Sequence, residues 1–436
     1  MSISIWDAKN NLAFNEPLEV NDRLFVDTAK ARGDFSIKRL YKSLNVDNKD
    51  KLHKPPRKQY TLFTGHRGCG KSTELVRAAK YLHDPQRYYV IHLDCTKKLD
   101  PNNLRYSDVL LALANGLLNK LKDENAITID QVHLTNLENW FKERIETHTK
   151  VKEFASEMQA GVKAKTGIPF LAQIFANLTN TFNIGSSYRE ELRQAFSNNF
   201  SEFATIFNQL LRVVEEQLQA SNNLGHYILF TVDGTDRLDK NDADRFFIED
   251  IHQLTLIESR FIYCAPIHLL HSSNQLTTTF DSPFRLPMLK IRDNCDQIIP
   301  ENYAVMRDLI YKRVPKGLFD NETTVNYLIC YSGGHPRDLL RLLTVAITYA
   351  DEEIIDQMAA EKAVKQIAND YRRFIENKQY TLLVDIDNHP DAPDDYTSEE
   401  TSQLLFNLVL LEYNDYFWKS HPLITTLSGY KKASNG

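Results

Sequence analysis

The apolar positions of this chain fall into two rhythms. Short, nearly continuous apolar runs recur at Tyr60-Thr61-Leu62-Phe63-Thr64, Tyr88 to Asp94, His226 to Val232, Ser259 to Ala265 and Phe284 to Ile291. Runs of this length bounded by turn residues predict strands buried on both faces. Between them the spacing turns helical. Tyr106 to Lys120 sets Val109, Leu110, Leu113, Leu117 and Leu118 on an amphipathic helix, and Asp242 to Leu256 is helical too. Strand alternating with helix predicts a parallel sheet. Asp130 to Leu218 breaks the alternation and reads as a helical insertion over 127–220. It comprises a helix from Ile129 to Lys150, breaks at Gly161 and Gly167-Ile168-Pro169, and a long helix from Ser187 to Gln219. Its middle, Gly161 to Gly185, allows two readings: a mobile interaction segment, or ordinary helices packed on the core.

The two ends differ from this middle. Residues 1–50 form an arm in which Phe35 to Leu44 has helical spacing, with Ile37, Leu40, Tyr41 and Leu44 on one face. That helix either covers a bound base or serves as a structural brace. Lys51 to Lys58 is a basic, proline-containing linker. From Pro300 the strands stop, and four helical segments follow: Glu301 to Arg313, Asn321 to Ser332, Pro336 to Ala350 and Glu352 to Glu376. In the tail, the helix Ser398 to Leu408 precedes two apolar runs flanking Asn414-Asp415-Tyr416, a hairpin after helices that predicts a winged-helix-like unit. The expected fold is α/β, a parallel sheet with a helical insertion, then a helical lid and a winged-helix-like end. Its boundaries are an arm at 1–50, a core at 51–295, a lid at 296–377 and the last unit at 378–436.

Composition narrows the class. The 436 residues carry a formal net charge of −6, which does not advertise a nucleic-acid binder. Five scattered cysteines without a C-x-x-C pair read as reduced thiols, not as a disulfide frame or zinc site. Met1 to Trp6 lacks the basic start and apolar core of a signal peptide. The most apolar stretch, Ile168 to Ile184, falls short of the ~20 apolar residues that span a bilayer. A cytoplasmic chain with no membrane insertion is expected.

Chemistry enters at Gly65-His66-Arg67-Gly68-Cys69-Gly70-Lys71-Ser72-Thr73. The apolar run before it predicts a strand and the run after it a helix. That context makes G-x-x-x-x-G-K-[ST] a phosphate-binding loop. Its glycines let backbone N–H groups converge on phosphate oxygens, and the helix start adds its positive dipole end. Lys71 supplies a mobile charge for the β- and γ-phosphates, and Ser72 a hydroxyl for Mg²⁺. Such a loop needs a carboxylate at the tip of a neighbouring strand, and Asp233 ends the run His226 to Val232. Asp236 is the candidate to orient or activate water; as an alternative it caps the following helix. Arg237 is a remote candidate for an arginine finger, and His268 for a γ-phosphate sensor. In Ser332-Gly333-Gly334-His335-Pro336-Arg337, Pro336 suits a first helical turn. Arg337 or His335 is placed to report the γ-phosphate to the lid, unless Arg337 is only a surface cation beside Asp338.

With these residues the chain resembles the AAA+/STAND branch of P-loop ATPases. The loop carries the resemblance, together with D-G-x-D at Asp233 to Asp236, G-G-H-P-R at Gly333 to Arg337, and the winged-helix-like tail. D-G-x-D is similar to the Walker B of NACHT-type proteins, and the lid-and-tail order is similar to that of archaeal origin-recognition ATPases. The resemblance implies ATP/ADP and Mg²⁺ as cofactors and His335 and Pro336 as nucleotide contacts. It implies Lys71, Asp233, Asp236 and Arg337 as the catalytic set of a slow ATPase. It further implies a switch coupling nucleotide state to a protein partner or self-association, with bacterial defence or signalling as a typical home. The chain departs from the pattern in having no D-E pair and no clear arginine finger. A DNA-binding initiator or loader is the alternative, but Ser398 to Leu408 contains no Lys or Arg, so nucleic acid is not favoured. A scaffold holding ATP structurally is the third possibility.

Overall fold

The computed structural model describes residues 4–100, 103–124, 127–145, 167–184, 189–221, 224–271, 274–351, 353–392, 396–414 and 417–435. Five strands form one parallel sheet: β1 (Gln59–Gly65), β2 (Tyr88–Asp94), β3 (Tyr227–Asp233), β4 (Arg260–Pro266) and β5 (Asp281–Arg285). Their order is β2-β3-β4-β1-β5. β1, at Leu62 and Phe63, pairs with Tyr263 and Cys264 of β4. β1 and β4 are buried along their whole length. That is why their sequences are continuously apolar: helices cover both faces.

Two expectations change here. The segment 286–291 is not strand, and β5 lies earlier, at Asp281–Arg285. The Asp233 strand is also not beside the phosphate-loop strand, because β4 lies between them. Sequence order cannot reveal this, since a crossover can place a later strand between two earlier ones.

The described insertion packs on one face of the sheet. Leu62, Ile91, Phe230 and Tyr263 share a single apolar core with Trp140, Leu171, Phe175, Phe196, Phe203 and Phe207. The first expected helix covers Gln131–Trp140 and passes into a π-helical turn, Phe141–Ile145. Gly167–Ile184 is one helix that begins at the expected break. The expected long helix is two, Arg189–Asn198 and Phe200–Ser221. The first is fixed by Arg193, whose Nε donates to Asp108 Oδ1 at 3.1 Å. The interaction-segment reading of Gly161 to Gly185 concerns residues partly outside those described. What is described packs on the core.

The helix Ile37–Ser43 buries Leu40 with Phe63 and Leu75, so it braces the sheet. Helices Pro300–Tyr311, Glu322–Ser332, Pro336–Tyr349 and Gln357–Tyr371 form the lid. In the tail, Glu399–Phe406 is capped by Ser398, and β6 (Leu410–Tyr413) pairs antiparallel with β7 (Phe417–Ser420). Lid, tail and the first helix, Ile5–Asn10, bury their side chains in one shared core. No described helix is long and apolar enough to cross a membrane.

Phe203 sits at the centre of the insertion's aromatic cluster, 4.9 Å from the ring of Phe196 and 5.1 Å from that of Trp140. Phe203→Ala is expected to destabilise the sheet core by about 3–5 kcal/mol. Urea unfolding followed by tryptophan fluorescence would show this as a lower midpoint.

Candidate functional site

The glycine loop leaves β1 at Gly65 and enters the helix Lys71–Leu82. Gly68 and Gly70 hold φ of 86° and 106°. A side chain at Gly68 would put Cβ 2.7 Å from Arg337 Cβ and 2.9 Å from His335 Nε2. Only glycine lets the lid approach this closely. Among the described residues, the amides of Arg67, Gly68 and Gly70 have no acceptor. They line a cavity of about 150 Å³ with Lys71, Ser72, Thr73, Asp236 and Pro336.

Lys71 is buried. Its Nζ lies 2.8 Å from Asp236 Oδ2 and donates to the carbonyls of Gly65 and His66 at 2.8 and 2.9 Å. Burial works against its charge, but Asp236, aided by Cys69 and Cys264, holds the ammonium above the ordinary lysine range. The same pairing overcomes burial at Asp236 and depresses that carboxyl. Ser72 Oγ donates to Asp233 Oδ1 at 3.0 Å, so the two predicted metal ligands meet although a strand separates their parent elements. Asp233 is pushed up by burial and by the neighbouring Asp236. The oxygens of Ser72 and Asp233 are the hard donors that Mg²⁺ takes.

The lid reaches the loop through His335. Its Nε2 donates to the Arg67 carbonyl at 2.6 Å, while Nδ1 sits 3.0 Å from Asp338 Oδ2. Asp338 also receives Tyr371, Arg341 and His421 at 2.5, 2.9 and 3.1 Å. Arg341 therefore takes the carboxylate that sequence offered to Arg337. Among the described residues no carboxylate pairs with Arg337, and burial and Arg237 lower its pKa. It lines the cavity beside Arg67 and Arg237.

The remaining predicted residues take other partners. The His66 side chain turns toward the tail, where its Nε2 accepts the Glu412 amide at 2.7 Å. The Cys69 thiol lies in the core near the Leu286 carbonyl, 3.8 Å away. Thr73 Oγ1 accepts the Leu18 amide at 3.2 Å. His268 is buried against Phe406, with Nε2 3.7 Å from Asp244, and is not part of the cavity wall.

Sequence reasoning missed the wall opposite the loop. Phe14, Pro17, Leu18, Leu24 and Phe25 of the arm form its apolar end with Leu309 and Leu340 of the lid. Phe35 to Leu44, considered for covering a bound base, does not line this cavity; residues between 13 and 28 do. Arg32 was missed too. It is buried, donating from Nη2 to the Cys69 carbonyl at 2.7 Å and from Nε to Thr28 at 3.1 Å. Burial lowers its pKa.

No family model matches this chain, and no curated protein does. Among solved structures it is similar to the Walker-type ATPase of Pyrococcus abyssi, with 13% identity over 95% of this chain and 99% of that one and a TM-score of 0.42. It is also similar to the Aeropyrum pernix ORC2 protein in ADPNP–ADP complexes, with 11% identity, 98% and 96% coverage and a TM-score of 0.37. A third is Cdc6p from Pyrobaculum aerophilum, with 9% identity, 94% and 98% coverage and a TM-score of 0.37.

The His66 contact sets a pH dependence. Burial lowers its pKa to about 3, and as an acceptor of the Glu412 amide it must be neutral. A base whose folded pKa is depressed contributes stability above its unfolded pKa of ~6.5 and loses it as pH falls from there towards 3. Between pH 7 and pH 5 this one group is expected to cost about 2 kcal/mol. His66→Gln, which retains an acceptor without titrating, should show a smaller shift in urea midpoint between the same two pH values.

Proposed function

We propose that this protein binds ATP and hydrolyses it slowly, as a STAND/AAA+-type switch coupling nucleotide state to partner binding or self-association. One observation carries the reading: an excess of half-buried cations around a glycine cradle with unpaired amides. Lys71 and Asp236 neutralise each other, and Ser72 holds Asp233. Arg67, Arg237 and Arg337 remain in the same wall with no carboxylate partner among the described residues. Clustered, partly desolvated charge without a counter-ion is unfavourable, and a polyphosphate supplies the missing anion. The apolar end at Phe14, Leu18 and Phe25 offers a base its flat contact.

In this reading Lys71 exchanges Asp236 for phosphate oxygens when nucleotide enters. Ser72 and Asp233 would hold Mg²⁺, which would offset phosphate charge. Asp236, released from Lys71, becomes free to orient water. His335, Pro336 and Arg337 bring the lid to the γ-phosphate, so ATP and ADP differ in how strongly they bind core to lid. The units proposed from sequence then act as arm, core, lid and output tail. The tail reaches the site through His66 and is the part placed to carry its state outward. Its helix Glu399–Phe406 has two acids in the first turn and no base there, which speaks against phosphate-backbone contacts by this helix.

Lys71→Ala is expected to weaken ATP binding by at least about tenfold, the loss of one charge-assisted phosphate contact. Asp233→Asn should bind nucleotide with a blunted response to added Mg²⁺. Titration calorimetry with ATP and ADP, with and without Mg²⁺, measures both. Unchanged ATP affinity in Lys71→Ala would overturn the reading.

A further inference from the structure

We propose that Arg67, inside the glycine loop itself, is a catalytic residue that acts in cis on the γ-phosphoryl group, so that turnover needs no guanidinium from a second chain. The inference rests on the nucleotide reading above and adds to it the source of transition-state charge stabilisation.

Three observations point to Arg67. Its place in the chain is the first. It lies between Gly65 and Gly68, in the stretch whose amides face the phosphates, four residues before Lys71. Its guanidinium therefore travels with the cradle, whereas Arg337 arrives only with the lid. The surroundings are the second. Arg67 lines the cavity beside Lys71 and Asp236, and it also lines the adjoining cleft of about 490 Å³ with Arg237 and Arg337. Burial depresses its pKa, Asp236 offsets part of that while paired with Lys71, and Arg337 and Arg237 depress it further. The guanidinium is thus half-buried, close to two like charges, and in no ion pair with a carboxylate among the described residues.

The third observation is its fixation. The Arg67 carbonyl accepts His335 Nε2 at 2.6 Å. One Nη donates to the Arg237 carbonyl, and the guanidinium carbon lies 5.4 Å from the centre of the Phe406 ring. A single Nη bond leaves further N–H donors available on a five-donor fork. Donors fixed before the reaction stabilise developing charge without reorganising.

The step balances as ordinary hydrolysis. A water oxygen bonds to the γ-phosphorus while the bond from that phosphorus to the β–γ bridging oxygen breaks. ADP keeps the bridging electron pair, and the water protons remain on the released phosphate. Charge spreads over the equatorial oxygens in between, and there a bidentate guanidinium contributes most.

A purely structural tie between loop and the Thr235–Arg237 turn is the competing account, and the two predict different kinetics. With full-length protein, Arg67→Ala is expected to lower turnover roughly 100-fold or more, while its ADP affinity stays within about threefold of the unmodified chain. Guanidinium chloride at non-denaturing concentration should restore at least about tenfold of the lost rate. Arg67→Lys, which keeps the charge should the alanine variant fail to fold, should recover less than about a tenth of the rate, because an ammonium cannot match the bidentate fork. The unmodified rate per chain should not vary with protein concentration. Turnover of Arg67→Ala within about threefold of the unmodified chain would overturn the inference. So would a rate per chain that climbs with concentration, or ATP bound by the unmodified chain without turnover. Failure of the unmodified chain to bind either nucleotide would instead refute the nucleotide reading itself.

Discussion

An ammonium almost wholly out of water governs the centre of this protein. Lys71 is held by one carboxylate and two carbonyls, and each comes from a segment that must be correctly folded to supply it. Asp236 stands in a turn that exists because Gly234 adopts φ of 87° after β3. A Cβ at Gly234 would sit 2.8 Å from Thr96 Cγ2, so the turn also fixes how closely the end of β2 approaches. Breaking any of these leaves an uncompensated buried charge, which is among the more damaging defects a core can carry.

The same loop is gripped from two directions at consecutive residues. The tail holds His66 through the Glu412 amide, and the lid holds the Arg67 carbonyl through His335. Lid and tail are joined to each other by Tyr413, whose hydroxyl donates to the Gly333 carbonyl at 2.6 Å, and by His421 at Asp338. Glu412 is itself fixed by Trp418 Nε1 at 3.0 Å. The three units therefore meet at the loop as a closed ring of polar contacts. The buried set of His335, Asp338 and His421 brings two imidazole nitrogens and a carboxylate oxygen within 4.8 Å of one another. Leu423 N donates to His421 Nδ1 at 3.2 Å, which leaves Nε2 to carry the proton toward Asp338. His421 Nε2 lies 3.1 Å from the Asp338 carboxylate as a charge contact, without an aligned hydrogen bond.

Local features were legible in the sequence and long-range ones were not. Four of the five core strands, the loop and the lid helices follow from runs and periods that neighbouring residues define. Asp233 was found because it ends an apolar run. Its contact with Ser72 follows from a strand order that no local pattern encodes. The arm's contribution at 13–28 was missed because Phe14, Leu18 and Phe25 show no regular spacing; their burial comes from lying across the loop helix and lid. Asp236 looked like a free acid because sequence shows its neighbours in the chain, while Lys71, its partner, is far away along it. His66 and Cys69 were grouped with the loop's contacts by position, yet their side chains serve the tail contact and the core.

The insertion carries a consequence of its own. Its helices do not hang from the sheet as an appendage; Phe203, Phe175 and Trp140 belong to the same apolar mass as Phe230 and Tyr263. A shortened chain joining Lys122 directly to His226 would present a sheet face of aromatic rings to water. The segment that interrupts the alternating pattern is thus the roof of the sheet, and evolution could remodel its outer side freely while its inner side stays bound to the geometry of β3 and β4.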